Sequence, residues 1–188
     1  MKSMTKRLLA ALLAVAALFA LAGCSKSDKA DAAPKDYTKI LHDARPDEDN
    51  EYYMIFSPGE DGKFTAQYGY SDSYDAAQLD EEIRNMLLPL LNIEEDMYTD
   101  FAASVSGMMV QSYGIAIVKP AEGKQQAVSE ALDAYVQSQM QSMEHYLEDQ
   151  YQIAASSHIS TAPTGEVILV CCENPEAVMN AIKTALAA

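Results

Sequence analysis

The chain has 188 residues, 13 of them basic and 28 acidic, for a formal net charge of −15. A surface so short of Lys and Arg has little with which to displace counterions from phosphate backbones or anionic headgroups, which excludes a nucleic-acid partner. With 3 cysteines, two of them the adjacent pair Cys171-Cys172, no disulfide framework can staple distant parts of the chain, so the fold must stand on its hydrophobic core.

The N-terminus opens with the basic residues Lys2, Lys6 and Arg7, then an unbroken apolar run from Leu8 to Ala22, then Gly23-Cys24. That run fits the apolar region of a secretory signal and falls short of the ~20 residues a spanning helix needs. Leu21-Ala22-Gly23-Cys24 resembles the bacterial lipobox. This implies a diacylglycerol on the Cys24 sulfur, cleavage after Gly23, and a mature protein held to the cell membrane on its extracytoplasmic face. The competing reading is a plain N-terminal anchor helix with Cys24 an incidental thiol. The short run, its small residues before cysteine and the polar segment that follows all argue against it. The organisation expected is a signal peptide at 1–23, a flexible tether at 24–35 built on the small, charged stretch SKSDKADAAP, and a single α+β domain at 36–188. Three basic residues lie in the signal, so the remainder carries a net −18, read here as a solubility charge.

Within the domain, Asp36 to Ala44 predicts a short helix with Tyr37, Ile40 and Leu41 on one side, broken at Pro46. Glu51 to Phe56 and Phe64 to Tyr70 flank a turn-rich loop and predict a β-hairpin burying an aromatic face; a tyrosine platform for a sugar or peptide is the functional alternative. From Asp75, the spacing of Leu79, Ile83, Met86, Leu87 and Leu90 predicts a helix that ends or kinks near Leu88, ahead of Pro89. Asn92 and Glu95 suggest a helical turn ending near Phe101, followed by strands at 103–110 and 113–119. One long amphipathic helix is expected between Gly123 and Tyr151, on Val128, Leu132, Tyr135, Val136, Met140, Met143 and Leu147. Strands at 153–161 and 166–172 follow. The second is apolar on both faces and so not an edge. Asn174 and Pro175 then start a C-terminal helix. The fold class read from this order is an antiparallel sheet packed against the long helix and the C-terminal helix, with the helices on one face.

From Leu91 to Leu186 the chain resembles a family of small, uncharacterised lipoproteins of Gram-positive bacteria, catalogued as a domain of unknown function. The matching residues are Asn92-Ile93-Glu94-Glu95-Asp96 before Tyr98; Ser106-Gly107-Met108; Ile115-Ala116-Ile117-Val118-Lys119; and Tyr146 and Tyr151 with Gly165 ahead of the apolar strand. Two positions depart from the family pattern: Tyr113-Gly114 stands where an acidic residue is usual, and Glu148 where proline is common. The resemblance implies a lipoprotein topology and an α+β fold, and no catalytic residue.

No constellation carries a reaction. His145 with Glu148 and Asp149 offers one nitrogen where zinc needs three or four ligands. Asp47-x-Asp49-x-Glu51 lacks the turn glycine and terminal Glu of a calcium loop. Met108/Met109 and Met140/Met143 suit Cu(I) in ligand type, but core filling explains them better. Cys171 and Cys172 would point to opposite faces of a strand, as two buried thiols rather than a vicinal disulfide. With no phosphate loop and no nucleophile motif, neither a catalytic residue nor a metal or cofactor is assigned. The expected function is a non-catalytic binding or interaction lipoprotein with an envelope protein partner, its one assigned site being lipid attachment at Cys24. The alternative is a cell-envelope hydrolase whose carboxylates, drawn from acidic loops such as Glu94 to Asp100, converge only in the fold.

Overall fold

The structure, a computed structural model, describes residues 34–188. The signal sequence, Cys24 and nearly all of the tether lie outside the described residues. Helix α1 (Tyr37–Ala44) starts at Asp36, whose side chain accepts from the Lys39 amide and so satisfies a free donor of the first turn. Pro46 does not simply end the helical region. It opens a second helix, α2 (Asp47–Tyr52), with Asp47, Glu48 and Asp49 in its first turn, where carboxylates complement the helix dipole.

A hairpin follows as expected, but shorter: β1 (Ile55–Pro58) pairs antiparallel with β2 (Phe64–Gln67). Residues 51 and 52 belong to α2, and Gly69–Ser73 is a 3-10 turn. The chain reverses there through Tyr68 and Gly69, both at positive φ. A Cβ on Gly69 would lie 2.6 Å from the Met54 nitrogen and the Tyr53 carbonyl carbon, so this close crossing requires glycine.

Helix α3 (Ala76–Glu82) is capped by Asp75, which accepts from the amides of Ala77 and Gln78. It runs into a π-turn (Ile83–Leu87) and then α4 (Leu88–Leu90). The expected irregularity before Pro89 is this π-turn, in which the Leu88 amide reaches back five residues to the Ile83 carbonyl. The proline ring crowds the carbonyl four residues before it, and a wider turn relieves that clash. The change of register turns Leu88 inward and leaves Met86 and Leu90 exposed, against the face read from their spacing.

Strand β3 (Tyr98–Val105) includes Phe101, so the expected helical turn near that residue is extended chain. The strand begins five residues earlier than expected and stops at Val105, leaving 106–110 to the following loop, and it places Phe101 in the core against Phe56, Phe64 and Tyr98. β4 (Gly114–Pro120) pairs with it antiparallel. The long helix is two elements, α5 (Gln125–Met143) and α6 (Glu148–Ala155), separated by a turn at 144–147. The second takes residues 153–155 from the expected strand and leaves β5 as His158–Thr161. β6 (Val167–Cys171) is buried at all five positions, and α7 (Pro175–Ala187) completes the chain. Asn174 stands at the α7 N-cap in the left-handed conformation, and its side chain makes no capping bond.

The six strands form one antiparallel sheet in the order β2-β1-β3-β4-β6-β5, so β6 is not an edge. Helices pack on both of its faces rather than one. Alternate strand residues, among them Phe101, Val118 and Leu169, meet the π-turn and α5 through Ile83, Leu132 and Tyr135. The others, among them Ile117, Ile168 and Val170, meet α1 and α7 through Leu41, Val178 and Ile182. The inner strands β4 and β6 are apolar on both faces for this reason. Each fully buried Leu, Ile or Phe contributes about 1.5–3 kcal/mol, and the two layers share one sheet instead of forming separate cores. Among the described residues, no helix is long and apolar enough to cross a membrane.

Candidate functional site

At the end of the sheet where β3 stops, β4 starts and β6 stops, a cleft of about 580 Å³ opens, within the size range of small-molecule sites. α2 supplies Glu48, Asp49 and Tyr52, and the 3-10 turn supplies Tyr70. The β3–β4 loop contributes Met108, Gln111, Ser112 and Tyr113. α6 adds Gln150 and Ile153, and the β6–α7 junction adds Cys172, Glu173 and Asn174.

Behind the lining tyrosines Tyr53 and Tyr113 lies Arg45, a buried guanidinium. It donates to Asn50 Oδ1 at 2.6 Å, Ser104 Oγ at 2.7 Å, the Tyr53 carbonyl at 2.6 Å and the Tyr113 hydroxyl at 3.2 Å. Four bonds in different directions use the planar fork of arginine and tie the end of α1 to α2, β3 and the β3–β4 loop. Above it, the Tyr53 and Tyr113 rings stack with centroids 3.8 Å apart and planes 11° from parallel. Burial raises both phenols, so they are neutral hydroxyls at physiological pH. Tyr113 is fixed from behind by Tyr135, whose hydroxyl donates to the Tyr113 carbonyl at 2.8 Å.

Asp49 is the perturbed acid of the cleft. Its burial raises the carboxyl above the usual range. Hydrogen bonding to Tyr113 and the charge of Arg45 oppose that shift, while the neighbouring carboxylates Glu48 and Glu173 reinforce it. Burial also pushes the Cys172 thiol up to about 12, which makes it a poor nucleophile. Ser112 is 2% exposed, and its amide donates to Gln150 Oε1 at 2.9 Å. Its hydroxyl is without a hydrogen-bond partner, alone in this among the buried side-chain polar atoms of the described residues.

The acidic stretch from Glu94 to Asp100, expected as a source of hydrolase carboxylates, contributes no residue to the cleft. Glu95 pairs with Arg84 and Asp96 with Lys124. Asp100 sits on β3, where burial raises its carboxyl. His145 is largely exposed beside Glu144, and among the described residues no group of three or more His, Cys, Asp or Glu is arranged to hold a metal ion. Met143 is core, but Met108 and Met109 are 58% and 88% exposed, so core filling does not describe that pair. Cys171 and Cys172 are free, buried, and on opposite faces of the sheet. Cys24 lies outside the described residues. Asp49, which in sequence belongs only to an incomplete calcium-loop spacing, lies in the first turn of α2 and reaches the cleft.

Fold and site together define an α+β domain with an acidic, tyrosine-lined cleft at one end of its sheet. The chain belongs to the family described as Domain of unknown function (DUF4358), whose profile matches residues 71–172. The match starts earlier than Leu91 and ends before α7, so it takes in α3 through β6. No curated protein and no solved structure matches the chain.

Proposed function

We propose that the protein is a lipid-anchored binding lipoprotein of the Gram-positive kind that the sequence resembles. It is exported by residues 1–23, acylated at Cys24 and held on the extracytoplasmic face of the cell membrane. It is non-catalytic and engages its partner, an envelope protein or a solute, through the cleft. The observation that carries this reading is the cleft wall, which four tyrosines line, two of them held from beneath by hydrogen bonds from the buried Arg45. Tyrosine provides contact area at small entropic loss, as binding surfaces require.

The reading is tested on intact cells by crosslinking the tagged protein and identifying what is recovered. A specific partner that is lost with Tyr52→Ala and Tyr70→Ala supports it. Labelled palmitate should enter the wild type and not Cys24→Ala, which should run at precursor size.

A second reading, an envelope hydrolase, is favoured by the raised Asp49 carboxyl beside Glu48 and Glu173. Turnover of a cell-wall fragment or glycoside by the purified protein, abolished by Asp49→Asn, together with no recovered partner, would replace the binding reading.

A further inference from the structure

Three carboxylates, Glu48, Asp49 and Glu173, stand on the cleft wall, and no Lys, Arg or His lines it. Arg45 lies beneath, but it is 5% exposed and its donors are taken up by Asn50, Ser104, Tyr53 and Tyr113. Arg45 acts on Asp49 from beneath, and no cation meets the three carboxylates from within the cavity. Glu48 and Glu173 are exposed to solvent and bear on the half-buried Asp49, which is where a positive charge entering the cleft gains most.

The aromatic side of the wall favours the same sign of charge. Tyr52 and Tyr70 are 51% and 59% exposed, so their rings are not consumed by the core. The face of a phenol ring attracts cations through its quadrupole. A second, independent feature is Ser112, which lines the cavity while its buried hydroxyl lacks any partner. A buried hydroxyl without a bond is costly and rare in folded proteins, and a ligand N–H would satisfy it.

Each alternative fails on one of these points. An anion meets three carboxylates and no basic side chain. A neutral polyol leaves the carboxylates uncompensated. For a metal ion, the described residues offer no suitable group of ligands.

Resting on the binding reading above, we infer that the cleft takes a small protonated organic amine. Its N–H donors are received by Asp49, Glu173 and Ser112, and its ammonium and alkyl body lies against Tyr52 and Tyr70.

The test uses the mature lipidated protein in non-ionic micelles, titrated calorimetrically at low salt with cadaverine and, separately, with its neutral isostere pentanediol. Saturable binding of cadaverine, with pentanediol weaker by about tenfold or more, supports the inference. Asp49→Asn should weaken cadaverine by a similar factor while leaving any pentanediol heat unchanged. Glu173→Gln, at an exposed position, should weaken it by a smaller factor and provides the test should Asp49→Asn not fold. Equal binding of the two probes, saturation by neither, or unchanged cadaverine affinity in both carboxylate variants would overturn the amine. None of those outcomes touches the crosslinking result, and turnover without a partner overturns the binding reading even where cadaverine binds.

Discussion

Gly114 leaves the space that Tyr135 occupies. A Cβ at position 114 would stand 2.6 Å from the Tyr135 hydroxyl oxygen and 2.8 Å from two of its ring carbons. In that space the phenol donates to the Tyr113 carbonyl. Tyr135 is 1% exposed and packed on all sides, so it cannot swing away. Gly114→Ala should therefore destabilise the fold by about 1–3 kcal/mol through overpacking. Urea denaturation should show a lower midpoint with an unchanged slope. A midpoint within error of the wild type would mean that α5 shifts freely against β4.

Arg45 braces the cleft from behind through four hydrogen bonds that no other side chain reproduces. Lysine keeps the charge but has a single nitrogen, so it leaves several of Asn50, Ser104, Tyr53 and Tyr113 unpaired in the interior. Arg45→Lys should cost about 2–4 kcal/mol, close to the effect of breaking a buried charged network. Thermal unfolding followed by circular dichroism measures it. A loss below about 0.5 kcal/mol would show that the guanidinium is not holding α2 in place.

The hydrophobic pattern carried most of the sheet and little of the cleft. Val167 to Cys171 announces a doubly covered strand because alternate residues are apolar on both sides. A strand apolar on both sides needs helices on both faces of the sheet, as α5 and α7 provide. Local irregularities were harder to read. The π-turn before Pro89 and the turn at 144–147 shift helical register without changing composition. The Tyr113-Gly114 departure from the family pattern acquires a reason only when Tyr135 is seen to need the missing side chain. Asp49, on α2, and Arg45, at the end of α1, become site residues through contacts more than fifty residues away in the chain, which no local spacing encodes. They also lie outside the stretch matched by the family, so the cleft joins family and non-family segments.

Two carboxyls shifted in opposite directions give stability an opposed dependence on pH. Glu166 tends upward from burial, but the Thr164 hydroxyl, its own backbone amide, the Tyr37 hydroxyl and Lys35 outweigh that and hold it low. A depressed acid contributes stability that is present above its unfolded pKa and lost as the pH falls through its folded one. Asp49 is raised, so the native state holds its proton longer, and its contribution declines as the pH rises from the unfolded value through the folded one. Asp49→Asn should remove that decline and leave acid destabilisation intact, whereas Glu166→Gln should blunt the acid limb. Denaturation midpoints across the carboxylate titration range measure both. Parallel profiles for Asp49→Asn and wild type would show that its shift is not expressed in stability.

The two thiols of β6 and its end should be inert in the folded protein. Cys171 is fully buried, and burial raises its thiol, with Ser157 and the Gly114 amide opposing only in part. Cys172 lines the cleft but is 3% exposed and pushed up to about 12 by burial, with Asp49, Cys171 and Glu173 adding to the shift. The thiolate is the reactive form, so mildly alkaline conditions leave each residue almost wholly protonated as well as sterically shielded. Their side chains lie on opposite faces of the sheet, against different helices, which prevents the pair from closing as a vicinal disulfide without unravelling the end of β6. Iodoacetamide should label neither position in the native state and both in denaturant, read by peptide mass. Selective labelling of native Cys172 would show that the cleft opens far enough to admit a reagent, and would place the motion at the β6–α7 junction.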